Sequence, residues 1–179
     1  MPNSSKYSTL AALVIAAAAA IALILMASAL FHHGTNYNQL ASLQVAPFRI
    51  FNGGKPYNTS VYLAITASQQ AQGYMNVSIN SSNMSCNQRC GMLFPFGSMQ
   101  YVCFWMKNTK FPIRQFWLKE VNSTANGTFY SVVKAENASP YNLSSICGTG
   151  NAVLELPLNY RIKGLNVSAI GQNNIFEMG

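Results

Sequence analysis

Gln100-Tyr101-Val102-Cys103-Phe104-Trp105-Met106 places three aromatic residues and a valine within seven positions. That composition suits a pleated, half-buried strand. In a strand Trp105 and Met106 point to opposite faces, so at most one of them faces the core. Upstream, Gly91-Met92-Leu93-Phe94-Pro95-Phe96 is an apolar run interrupted by proline. Downstream, Lys107-Asn108-Thr109-Lys110 reads as a polar turn or strand end. Phe111-Pro112-Ile113 restarts the chain, and Gln115 to Leu118 is a further strand.

The pattern continues outward in both directions. Asn122 to Gly127 reads as a hairpin-type loop, and Thr128 to Ala135 as a strand. Asn137 to Gly150 is a long loop rich in Ser and Gly. Ala152 to Leu156 is a strand stopped by Pro157, and Asn166 to Ile170 is the last strand. Toward the N-terminus, Phe48 to Phe51 is a short strand ended by Asn52-Gly53-Gly54, and Val61 to Thr66 is a second. Ser68 to Met75 suits a short helix capped by Ser68 and ended at Gly73. Asn76 to Arg89 is loop-like. Short strands separated by turn signals predict a mostly β fold, a small β-sandwich or barrel with one or two short helices.

Leu10 to Leu30 is a run of 21 residues with no charge and one hydroxyl, Ser28. As a helix it spans about 31 Å, the thickness of a bilayer core. Lys6 and the amino terminus lie before it. The first Lys or Arg after it is Arg49, with His32 and His33 nearer. The positive-inside rule then leaves the N-terminus in the cytoplasm and the remainder outside, as a single-pass protein of the cell membrane. The resulting division is a cytoplasmic tip (1–9), a transmembrane anchor (10–31), a juxtamembrane linker (32–46) and an extracytoplasmic β domain (47–179). A removed signal peptide stays open as an alternative, because Ala27-Ser28-Ala29 fits a small-x-small cleavage site. The apolar run is longer than the ~7–15 residues of an ordinary signal-peptide core. Either reading places the domain outside.

Charged residues make up 8% of the chain, against roughly 25% in typical soluble domains. There is no Asp, and the acids are Glu120, Glu136, Glu155 and Glu177. The net charge of +7 thus reflects missing acids, and the 11 Lys and Arg are scattered. No basic stripe or recognisable module points to nucleic acid. Acid denaturation acts largely by protonating paired carboxylates, so a fold that hardly uses them suits an acidic external medium. A surface solvated by amides and glycans explains the same composition equally well.

After the apolar segment, sequons begin at Asn58, Asn76, Asn80, Asn83, Asn122, Asn126, Asn137, Asn142 and Asn166, making these glycosylation candidates. The four cysteines, Cys86, Cys90, Cys103 and Cys147, all follow the apolar segment. An even number outside the cell suggests disulfides, with three connectivities open. Pairing Cys86 with Cys90 would leave Cys103 with Cys147, worth about 3–4 kcal/mol in the chain-entropy model. Structural zinc prefers two close Cys/His pairs, and only Cys86 and Cys90 form one, so no metal is expected.

The run from Gly91 to Leu118 resembles the DUF192 family (UPF0127), a domain of unknown function. Three blocks carry the resemblance: Gly91 to Phe96; Phe104-Trp105-Met106-Lys107-Asn108-Thr109 with Phe111-Pro112-Ile113; and Val153-Leu154-Glu155-Leu156-Pro157. A weaker block, Gly73-Tyr74-Met75, stands where the family has Gly-Leu-Met. Two departures stand out. Pro112-Ile113-Arg114 replaces a usual Pro-Leu-Asp, and Asn76-Val77 follows Met75 where an Arg is common. The resemblance, over residues 58–171, implies a compact, mostly β fold and no particular activity.

The best constellation is Trp105, Lys107, Asn108, Thr109 and Glu155. An aromatic face, an amide, a hydroxyl and a carboxyl suit sugar or peptide binding. The competing reading makes Trp105 and Met106 core residues and Glu155 the cap of a buried backbone group. Enzyme signals are thin. Without Asp no Ser-His-Asp set is available, no two of the glutamates are placed together by the sequence, and no phosphate loop or cofactor motif is visible. The expected function is an envelope binding or accessory module touching glycan or an envelope protein. The alternatives are a structural surface protein assembling through strand edges, or an undescribed hydrolase.

Overall fold

Along Gln44–Asn52 (β1), Ala46, Phe48 and Ile50 are buried and the residues between them exposed, the two-residue period of a strand with one face on a core. A computed structural model of the chain describes residues 40–78, 85–86 and 89–179, with backbone only at 85, 86, 89 and 90. Leu10–Leu30, His32, His33, Asn80 and Asn83 lie outside these residues, as do the side chains of Cys86 and Cys90. No helix among the described residues is long and apolar enough to cross a membrane. The folded unit runs from Leu40 to Gly179. A 3-10 turn at Leu40–Ser42 and the start of β1 therefore occupy the end of the stretch read as linker.

Gly53 and Gly54 have φ of 58° and 77°, and Asn52 pairs with Lys55. Two successive left-handed residues make a two-residue hairpin turn, so the chain folds straight back into Lys55–Leu63 (β2), earlier than the expected Val61 to Thr66. The helix is Ala67–Gln72 (α1). Its cap is Thr66, not Ser68: the Thr66 hydroxyl accepts from Gln69 N at 3.2 Å, and Gln69 Oε1 accepts from Thr66 N at 2.9 Å. This reciprocal box explains the earlier start. Gly73, with φ 44°, ends it.

Ser85–Cys86 (β3) precedes Arg89–Phe104 (β4), which runs through Pro95 as one strand of 16 residues. The proline is tolerated because the register with its neighbour shifts between Pro95 and Gln100, a bulge that needs no amide hydrogen there. Ile113–Thr124 (β5) and Gly127–Ala138 (β6) form a hairpin around Ala125-Asn126. Ile146–Pro157 (β7) begins within the stretch read as a loop. Arg161–Ile162 (β8) and Leu165–Asn166 (β9) follow. Val167–Ala169 is a 3-10 turn where a strand was expected, and Ile175–Met178 (β10) is the last strand.

The large sheet closes into a barrel in the order β1-β10-β6-β5-β7-β4-β2, with β2 returning to β1. The β2–β4 junction is parallel and the others antiparallel. Of the two architectures left open by the sequence, the barrel is the one formed. Phe48–Phe51 pairs on both sides, so it offers no free edge.

Alternation sorts the buried residues into two layers. Phe48, Ile50, Leu93, Phe116, Leu118, Leu154, Leu156 and Phe176 fill the barrel. The intervening residues Met92, Phe94, Ile113, Trp117 and Val153 form a second core outside it, covered by Ala64, Tyr74, Val77, Met106 and Phe111. Beyond the barrel β4 and β7 continue as a ribbon. Gln100–Phe104 pairs with Ile146–Gly150, with no third strand among the described residues. Cys103 and Cys147 are register partners in it and are joined by a disulfide, S–S 2.08 Å. The ribbon lies over Trp117: a Cβ on Gly148 would sit 2.7 Å from its indole ring.

Candidate functional site

The second core opens to solvent between α1 and the turn after β4. Trp105, Met106, Thr109, Glu155, Phe94, Phe104 and residues Gln70 to Met75 line a cleft of about 30 Å³. That is room for one or two water-sized groups. Trp105 is 50% exposed and forms its rim, whereas Met106 is buried. The pair divides with one side chain out and one in, although β4 ends at Phe104, two residues short of the strand end the sequence suggests.

The segment between β4 and β5 is held from two directions. Met106 N donates to Asn142 O, and Tyr141 N to Thr109 O. Asn76 N donates to Asn108 O at 2.9 Å. Asn76 and Asn108 both have left-handed backbones, φ 63° and 54°, which Asn tolerates better than most residues. These bonds fix where Trp105 and Thr109 stand. Gln70 Nε2 ties α1 to the sheet by donating to the carbonyls of Ala64 and Pro95, at 3.2 Å each.

Glu155 is the buried member of the four acids, 4% exposed. Gln115, its register partner across β5 and β7, is fully buried and donates from Nε2 to Glu155 Oε1 at 2.9 Å. Burial pushes the Glu155 carboxyl up to about 7, and the Gln115 hydrogen bond opposes this only in part. Burial, then the nearby Glu155, Tyr160 and Tyr62, raise the Tyr74 hydroxyl well above its ordinary value. Gln115 Oε1 and Trp117 Nε1 are buried without a hydrogen-bond partner among the described residues. Such an unmet group costs about 1–3 kcal/mol.

Of the five residues singled out in the sequence, Trp105, Thr109 and Glu155 meet in this cleft. Lys107 joins at the rim, its ammonium 5.1 Å from the Trp105 ring centre. Asn108 serves the turn with its carbonyl instead. Sequence reasoning passed over Gln115 and Tyr74 as site residues. An amide inside Phe-Trp-Leu company was the signal for the first, and the Gly73-Tyr74-Met75 block for the second.

The acids do not assemble a hydrolytic pair. Glu177 bonds Arg49 at 2.8 Å, Glu136 bonds Lys134 at 2.7 Å, and Glu120 is exposed, while Glu155 is the one acid lining the cleft. Among the described residues no cluster of three or more His, Cys, Asp or Glu offers a metal site. A larger hollow of about 150 Å³ lies beside Arg49, Asn58, Asn126 and Glu177, around that half-buried ion pair. It holds no buried ionisable group, so its size does not make it the better chemical site. Arg114, at the family's Asp position, donates to Ile170 O at 2.9 Å and Asn137 Oδ1 at 2.6 Å, which makes it a structural tie.

The described sequon residues Asn58, Asn76, Asn122, Asn126, Asn137, Asn142 and Asn166 are all exposed. The cysteine pairing left open among three connectivities is, for Cys103 and Cys147, the one that joins them.

Among solved structures, the chain is similar to a "putative transcription regulator" from Sinorhizobium meliloti 1021. Identity is 25%, coverage 76% of this chain and 95% of that one, and the TM-score 0.59. A protein of unknown function from Novosphingobium aromaticivorans DSM 12444 matches at 23% identity, over 69% of this chain and 87% of that one, with a TM-score of 0.49. No curated protein matches the chain. The sequence profile of DUF192, described as an uncharacterised ACR, matches residues 49–167, from the first barrel strand to the last 3-10 turn, and the chain belongs to that family.

Proposed function

We propose that this chain is an extracytoplasmic binding module, anchored by Leu10–Leu30, whose ligand enters the cleft between Trp105 and Glu155. One observation carries the reading: a half-exposed indole stands at the mouth of a cleft that also reaches a buried carboxyl. A large aromatic face left in water, above a concave polar floor, suits a ligand with one flat apolar side and one polar group. The uncharged 21-residue run after Lys6, the exposed sequons and the Cys103–Cys147 bridge support an outer location.

Immobilised glycans and extended peptides presented to the wild-type domain and to Trp105→Ala test the cleft. Binding to one class, lost in Trp105→Ala, is expected; equal binding by both proteins sinks the assignment. Intact mass from the native membrane, before and after reduction, tests the location. Full length with added sugar is expected, and a bare chain unchanged by reductant argues for an interior protein.

A further inference from the structure

Gln115 faces Glu155 with an amide that is half satisfied. Its nitrogen donates to the carboxyl, while its oxygen, equally buried, meets no donor among the described residues. A carboxylate is an acceptor only and leaves that oxygen unmet. A carboxylic acid meets it: the acid O–H donates to the amide oxygen while the amide N–H donates to the acid carbonyl.

Among the described residues, the surroundings leave no unengaged countercharge for a carboxylate; on β6, Lys134 and Glu136, the register partners of Trp117 and Gln115, pair with each other at 2.7 Å. From the turn after α1 comes Tyr74, with Tyr62 of β2 and Tyr160 after β7 nearby, all phenols. Neither α1 nor β4 between Gly91 and Phe104 carries a charged side chain. On the segment between β4 and β5, Lys107 spends its ammonium on Trp105, and Lys110 bonds Ser78 Oγ at 3.3 Å. On β5, Arg114 is engaged with Ile170 and Asn137.

We propose that the cleft takes one hydroxyl of an uncharged pyranose whose ring lies on Trp105, and that Glu155 meets it as a neutral acid locked to Gln115. This rests on the cleft being the binding site. Once the acid proton is turned to Gln115, the carboxyl presents only lone pairs to the cleft, so the entering group is a donor. The space admits one hydroxyl or hydroxymethyl group and not a whole ring. A cationic sugar meets Lys107 at the rim and a neutral floor. An anionic one must carry its charge to the buried acid or leave the floor empty.

The test uses methyl glycosides of glucose, galactose and mannose, with glucosamine and glucuronate as charged counterparts, added to the full chain at pH 5.5. The readout is the Trp105 indole and Gln115 side-chain amide signals in nuclear magnetic resonance. At least one neutral glycoside is expected to shift both signals and the charged sugars neither. Wild-type affinity for the neutral glycoside should fall more than about tenfold from pH 5.5 to pH 8.5 as the acid ionises, whereas Glu155→Gln, which cannot ionise, should bind with an affinity that does not change over that range. Preference for glucosamine, or a wild-type affinity that holds or rises from pH 5.5 to pH 8.5, overturns the neutral-acid assignment and leaves the cleft standing. If no glycoside shifts either signal while Trp105→Ala still abolishes binding to peptides, the sugar falls and the cleft stays. If Trp105→Ala changes nothing, both fall.

Discussion

The two layers of this domain share three strands, β4, β5 and β7, and follow different rules. Odd and even residues of β4, β5 and β7 serve one layer each. The barrel core is an apolar and aromatic cluster surrounded by seven strands, and the buried Asn174 beside it is satisfied, donating to Phe51 O and accepting from Gly171 N. Outside, beneath a six-residue helix and a two-stranded ribbon, lie the buried Thr109, Gln115 and Glu155 and the two unmet polar atoms. A closed barrel can satisfy its backbone completely and needs only packing within. The outer layer has an edge that opens to water, and there a polar group can be both buried and reachable. The scaffold and the candidate site therefore share strands without sharing side chains.

Breaking the inner layer should have the largest effect. Phe116→Ala removes a fully buried ring in contact with Phe176, at a centroid distance of 5.4 Å, and should cost about 3–5 kcal/mol in chemical denaturation. Both layers should then unfold in one transition. An outer layer that melts separately would show the division to be deeper than drawn.

The next effect depends on pH. Unfolded, Glu155 has an ordinary value of 4.5; folded, it stands at about 7. Between these values the native state holds a proton that the unfolded chain has released. Its contribution is complete below 4.5 and is lost as pH rises through 7, by up to about 3 kcal/mol. Urea midpoints should therefore fall from pH 4.5 to pH 8 in the wild type and change less in Glu155→Gln. The reverse slope would mean that Glu155 is held as a carboxylate. The same linkage predicts no sharp loss of stability between neutral pH and pH 3, as the acid-medium reading requires.

Gly148→Ala should be smaller, about 1–3 kcal/mol, because its Cβ would press on the Trp117 ring and lift the ribbon. Hydrogen exchange should quicken in Gln100–Phe104 and Ile146–Gly150, with the barrel strands unchanged. Uniform loss of protection would tie the layers together. Smallest is Trp117→Phe. The indole N–H it removes has no partner among the described residues, so the relief of an unmet donor offsets the lost ring volume, and a net change within about 1 kcal/mol is expected in the same denaturation assay. A large loss would reveal a bond that Trp117 does make.

The strands around Trp105 and Trp117 were readable in the sequence because apolar and β-branched residues cluster there. Trp105, Thr109 and Glu155 were readable as a set for a different reason: they lie in the family blocks and combine an aromatic face, a hydroxyl and a carboxyl. The rest was hidden for specific causes. Pro95 looked like a strand break because a bulge, which only the neighbouring strand reveals, absorbs it. Thr66 was missed as a cap because Ser68 competes with it locally, and Gln69 decides the matter by bonding back. Ile175–Met178 has too few residues to show alternation. Gln115 was overlooked because its partner lies forty residues away.

The four residues of β10 also set when this protein can be made. They lie between β1, near the start of the domain, and β6, and they occupy the gap between those strands. A chain emerging in order cannot complete the ring until Met178 has left the ribosome. Until then, the β1 and β6 edges stand open to any neighbouring strand. Ring closure therefore waits on β10 by construction, and a chaperone that shields strand edges should act on this domain until Ile175–Met178 has paired with β1 and β6.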